Sequence, residues 1–96
     1  MNFFVAFGEV IREERLKQGY TLRQICSGNY ISIGHLSDVE RGQKECSHIF
    51  MEKVARGLNI PLYELIIETG YRMAEYEVPD TIEDFIVETS PIRTPA

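Results

Sequence analysis

Thr21-Leu22-Arg23-Gln24-Ile25-Cys26-Ser27-Gly28-Asn29-Tyr30-Ile31-Ser32-Ile33-Gly34-His35-Leu36-Ser37-Asp38-Val39-Glu40-Arg41-Gly42 is the stretch on which the fold turns. Thr21 precedes Gln24 at capping-box spacing, where each side chain bonds the other's free backbone N–H. A short helix two is therefore predicted from Leu22 to about Ser27. Gly28 and Asn29 form a turn pair, since both tolerate positive φ. Ser32 is the next N-cap candidate. Helix three is predicted over Ile33 to about Arg41, with Leu36 and Val39 inward and Gly42 as its stop. Two short helices joined by a tight turn have helix-turn-helix spacing, and the second would be the one that reads DNA.

The flanking segments are helical as well. Phe3, Phe7, Val10, Ile11 and Leu16 follow helical spacing, so helix one is predicted over Phe3 to Lys17, with Gly19 as its stop. Ser47 caps helix four, whose apolar set is Ile49, Phe50, Val54, Ala55 and Leu58. Pro61 suits the first turn of helix five, where a missing N–H costs nothing. Leu62, Leu65 and Ile66 form its buried stripe, and Gly70 ends or kinks it. A last short helix capped by Asp80 or Thr81 would carry Ile82, Phe85 and Ile86. No strand or internal repeat is visible, and the fold class is all-α.

The chain has 96 residues, 44% of them hydrophobic, which suits one modest core. No apolar run approaches the ~18–20 residues that span a bilayer. The apolar start lacks a basic leading segment, so no signal peptide is expected. Cys26 and Cys46 are too few for a disulfide scaffold or a four-ligand metal site, and the expected home is a reducing cytoplasm. The net charge of −5 argues by itself against nucleic acid. Its distribution does not: residues 1–66 hold eight basic and eight acidic groups, whereas residues 67–96 hold two and seven. The first two thirds are neutral and can still present a basic face.

The segments Arg15-Leu16-Lys17-Gln18-Gly19, Thr21-Leu22-Arg23-Gln24-Ile25 and Leu36-Ser37-Asp38-Val39-Glu40-Arg41-Gly42 resemble the XRE/Cro/cI-type helix-turn-helix domain. Leu58-Asn59-Ile60-Pro61-Leu62-Tyr63-Glu64-Leu65 resembles that domain's closing segment, and the likeness covers about residues 7–68. It implies a five-helix, lambda-repressor-like DNA-binding domain. Ser32 to Glu45 is more specifically similar to the actinobacterial regulators that activate Clp protease genes, through Gly34 after the first helical position and Lys44-Glu45 after Arg41-Gly42-Gln43. Two positions depart from the pattern. Leu22-Arg23 stands where the family often has a phosphate-contacting Gln, and Tyr30 stands where it usually has Gly, so the turn must use Gly28 or Asn29 differently.

On this reading the DNA-binding candidates are Arg23, Ser32, Ile33, Gly34, His35, Ser37, Asp38, Arg41, Gln43 and Lys44. Ser32 caps helix three and can also touch a phosphate. Ile33 either meets a thymine methyl or packs partly inward. Gly34 costs ~1 kcal/mol in a helix relative to Ala, which close approach to DNA or to another helix would offset. Ser37 can donate to a base or a phosphate. Asp38 is best placed to hold a basic neighbour, and His35 to lie on the surface or phosphate side. Arg41, Gln43, Lys44 and Arg23 are candidates for clamping the backbone. The resemblance makes Arg15 and Glu40 a structural ion pair between helices one and three. Cys26 reads as core packing, and Cys46 as exposed ahead of helix four.

The last third carries many apolar groups and little core for them to join. Packing against a second copy explains them economically, with Tyr71, Ile82, Phe85 and Ile86 as the interface. The expected organisation is a helix-turn-helix domain over residues 1–70, a dimerising helical extension over 71–89 and a disordered tail over 90–96. The function implied is a sequence-specific transcriptional regulator, binding double-stranded DNA at a palindromic operator as a homodimer. The rival is an antitoxin-like interaction module that grips a partner through the acidic last third. No nucleophile–base pairing, phosphate loop or metal spacing points to an enzyme, and no cofactor, small-molecule ligand or membrane is expected.

Overall fold

The computed structural model describes residues 1–76. The expected last helix, with Ile82, Phe85 and Ile86, and the tail lie outside the described residues. Within them the elements are α1 (Phe3–Lys17), α2 (Leu22–Cys26), α3 (Ile33–Glu40), α4 (His48–Leu58) and α5 (Leu62–Tyr76), with no strand.

Local chemistry starts each of the first four helices. The side chains of Asn2, Thr21, Ser32 and Ser47 each accept from a backbone N–H of the following turn, so one orphan donor per helix is satisfied. Thr21 and Gln24 complete the expected capping box, with bonds of 2.7 and 3.1 Å. α4 ends on Asn59 in the left-handed region, and the Gln18 side chain donates to the Leu58 carbonyl at 3.0 Å. That bond ties the end of α1 to the end of α4.

α1 packs against both α3 and α5, while α2 packs against α3 and α4. Phe7, Ile11, Ile25, Leu36, Val39, Val54, Leu58 and Leu65 are all but fully buried between them. Two glycines set how closely the helices approach. A Cβ on Gly8 would stand 2.1 Å from the Val39 carbonyl oxygen, so α1 crosses α3 backbone to backbone. A Cβ on Gly57 would stand 3.0 Å from both Ile25 Cγ2 and the Ile25 carbonyl oxygen, where α4 meets α2.

Three residues expected in apolar stripes are exposed instead: Leu16 (53%), Ile49 (56%) and Ile66 (36%). In α1 the position one turn after Ile11 is Arg15, and it is Arg15 that turns inward. In α4 the buried stripe runs through Phe50, Met51, Val54, Ala55 and Leu58, which leaves Ile49 at its edge. In α5 only Leu65 and Thr69 are buried, and Thr69 satisfies its hydroxyl by donating to the Leu65 carbonyl at 2.7 Å. Gly70 neither ends nor bounds α5, which continues to Tyr76. Arg72, beyond it, donates to Glu13 and Glu9 of α1 and holds that last stretch on the domain.

Cys26 is buried in the core as expected. Cys46 is half-buried and packs against the core rather than lying exposed. Burial pushes its thiol up to about 11, away from thiolate chemistry.

Candidate nucleic-acid interface

Helices α2 and α3 meet through a turn that solves the Tyr30 departure in an unexpected way. Gly28 takes positive φ at +77°, and Tyr30 itself also enters the left-handed region at φ 56°. The turn therefore keeps the backbone shape that glycine would favour and accepts the strain of a side chain there. Tyr30 is 91% exposed, so no packing contact offsets the strain. Asn29 supports the turn, donating from Nδ2 to the Ile25 carbonyl at 2.8 Å.

α3 has two distinct faces. Leu36, Val39 and Glu40 are buried against the domain. Ser32, Ile33 and Gly34 are exposed, and Ser37 and Asp38 are half-buried beside them. Ser32 Oγ accepts from the His35 amide at 3.3 Å. A Cβ on Gly34 would find only Ser32 Oγ, at 3.9 Å. Among the described residues, another helix is thus not what makes glycine useful there. His35 is more than a surface residue: its ring sits edge-on to Phe50, with centroids 4.6 Å apart, so it helps seat α3 on α4.

The base of α3 is locked electrostatically. Arg15 Nε and Nη2 donate to the two Glu40 carboxylate oxygens at 2.7 and 2.9 Å, and Nη1 donates to the Tyr20 carbonyl at 2.9 Å. The bidentate hydrogen bonding to Glu40 raises the guanidinium pKa above its ordinary value, against the opposing pull of burial. The pair also orients α3 on α1, which is a structural task. Asp38 holds a basic neighbour, accepting from Arg41 Nη2 at 2.6 Å. Arg23, Gln43 and Lys44 are exposed, and Arg23 and Lys44 form no ion pair among the described residues.

The structure also groups residues that linear spacing does not connect. Arg12 of α1 shares a cleft with Ser37 of α3 and with Arg41 at its C-cap. Nothing local to Arg12 signals this, because the neighbourhood exists only once α1 crosses α3. Tyr71, the one expected interface residue within the described part, is exposed on α5. No described helix is long and apolar enough to cross a membrane.

Two short helices joined by a tight turn, the second with one exposed face, define a helix-turn-helix domain. No family model matches the chain. It is 40% identical over 70 residues to the transcriptional regulator ClgR of Mycobacterium tuberculosis, covering 73% of this chain and 62% of that protein's length. The crystal structure of the clp gene regulator ClgR from Corynebacterium glutamicum superposes with a TM-score of 0.72 at 32% identity, covering 77% of this chain and 96% of that one. The restriction-modification controller protein C.AhdI from Aeromonas hydrophila gives 0.61 at 31% identity, over 65% and 94% of the two chains. The chain belongs to the ClgR family of transcriptional regulators, as the Ser32–Glu45 resemblance implied.

Proposed function

We propose that this chain is a sequence-specific DNA-binding regulator that lays α3 in the major groove and works as a homodimer on a palindromic operator. The observation that carries the reading is the open face of α3's first turns. Ser32, Ile33 and Gly34 are exposed, and among the described residues nothing beyond Ser32 stands above Gly34. A bare helix face with a small residue at its centre suits close approach to base edges, and Ile33 presents an apolar group for a thymine methyl. Arg23, Arg41, Gln43 and Lys44 flank the turn and the end of α3, where contacts to phosphates fix register. The names of the similar proteins, clp gene regulators among them, support a role at promoters and make Clp protease genes the first targets to try.

Dimerisation is supported by α5. Tyr63, Ile66, Ile67 and Tyr71 recur at helical spacing and are all exposed. A fully buried large apolar side chain contributes ~1.5–3 kcal/mol, so this face offers a second copy ample area. Two copies would then place their reading helices about one DNA turn, ~34 Å, apart.

Selection of bound sites from random duplexes tests the reading. It should return inverted half-sites with centres about one helical turn apart. Recovery of no enriched sequence, with sedimentation reporting a monomer, would overturn both the specificity and the dimer.

A further inference from the structure

We propose that the cleft between α1, α2 and α3 seats one phosphate of the DNA backbone, with Arg12 as its main ligand and the Ser37 hydroxyl as a second donor. The assignment rests on the DNA-binding reading and adds a contact from α1, outside the helix-turn-helix.

The cleft has a volume of about 480 Å³ and is lined by Arg12, Arg15, Leu22, Ser37, Glu40 and Arg41. Three cationic groups face one carboxylate, so the lining carries a formal excess of positive charge and Leu22 is its sole apolar wall. That chemistry rejects cations and offers little to an uncharged ligand. It suits an anion.

The groups divide into committed and available. Arg15 is fully engaged by Glu40 and the Tyr20 carbonyl, and it cancels the Glu40 charge at the back of the cleft. Arg41 is steered by Asp38. Arg12 is exposed, and among the described residues it makes neither an ion pair nor a side-chain hydrogen bond. Ser37 is half-buried, and none of the side-chain hydrogen bonds among the described residues involves its hydroxyl. A planar guanidinium and a hydroxyl are the donors that a phosphodiester takes. Ser37 lies one helical turn beyond Ile33, so the seat borders the face proposed to read bases. A phosphate held there would fix how far α3 enters the groove.

The test uses the full chain in equilibrium titrations against an operator and a random duplex over about 50–200 mM salt. Arg12→Gln removes the charge and leaves a shorter, polar amide side chain. Its log-affinity against log-salt slope should be shallower by ~0.9, so its affinity changes ~3.5-fold less over that range. The loss should be equal on both duplexes. Arg12→Lys should recover the slope with part of the affinity. The melting curve of Arg12→Gln should match the wild type, since Arg12 has no partner among the described residues to lose. Ser37→Ala should weaken both duplexes by one factor, and a loss confined to one base pair would overturn its place in the seat. Exchanging chloride for inorganic phosphate at constant ionic strength should leave wild-type affinity unchanged. Competition by phosphate that vanishes in Arg12→Gln would make this a free-anion site and overturn the backbone assignment. An unchanged slope in Arg12→Gln, beside a wild type that binds normally, would overturn the seat. A wild type that binds no duplex would instead remove the DNA-binding reading beneath it.

Discussion

Replacing Gly8 by alanine should separate two helices that now touch through their backbones. The added Cβ would stand 2.1 Å from the Val39 carbonyl oxygen and 3.1 Å from that of Glu40, where ordinary contact begins at 3.4 Å. These are main-chain atoms of α3's last turn and cannot swing aside, so α1 and α3 must part by about 1 Å at the crossing. That crossing also holds the fully buried Phe7 and Val39 and lies near the Arg15–Glu40 pair. Overpacking of a tight core costs ~1–3 kcal/mol and sometimes more, and disrupting a buried ion pair ~3–5. Against this, alanine returns up to ~1 kcal/mol of helix propensity. The expected net loss is ~2–4 kcal/mol, taking the pair as loosened rather than broken. In a domain of this size each kcal/mol shifts Tm by ~4–8 °C, so Tm should fall by roughly 8–32 °C. Circular dichroism melts and urea titrations of the full chain measure it, with the urea midpoint falling at a constant slope. A Gly8→Ala protein as stable as the wild type would refute the backbone crossing.

The same substitution at Gly34 should have the opposite sign. Gly34→Ala should gain up to ~1 kcal/mol, because its methyl meets open space, yet weaken operator binding; a gain in stability with unchanged affinity would take Gly34 away from the DNA contact. Tyr30→Gly should relieve left-handed strain of ~1–2 kcal/mol, partly offset by the flexibility glycine adds to the unfolded chain, so the urea midpoint should rise. Arg72 donates hydrogen bonds that hold the Glu13 carboxyl below the usual carboxylate range. That contribution is fully present above the unfolded glutamate value and disappears as pH falls through the lower folded one. The stability gap between wild type and Arg72→Gln should therefore be constant at neutral pH and close on acidification below about pH 4; a gap that persisted in acid would show that the charge pairing is not its source.

Local signals were the legible ones. Thr21–Gln24, Ser32 and Ser47 announce helix starts because a cap involves only a few consecutive residues. The Asp38–Arg41 contact is equally local, lying within one turn of α3. Glu40 and Arg15 were paired through family resemblance, since residues so far apart have no spacing rule to join them. The Tyr30 backbone was not legible: the departure from glycine was visible, but whether the turn would change shape or the tyrosine would carry the strain depends on how α2 and α3 are held by the rest of the core.

By itself, then, the sequence determined the helix-turn-helix order, the helix starts and the neutral charge of the first two thirds, because caps, periodicity and composition act over single turns or by simple count. Only the tertiary structure decided which apolar residues stay outside, that α1 and α3 touch at Gly8, that no other described helix faces Gly34, and that Arg12 stands beside Ser37. Each of these depends on the angle and distance at which helices cross. Side chains from several elements set that crossing together, and no single segment encodes it.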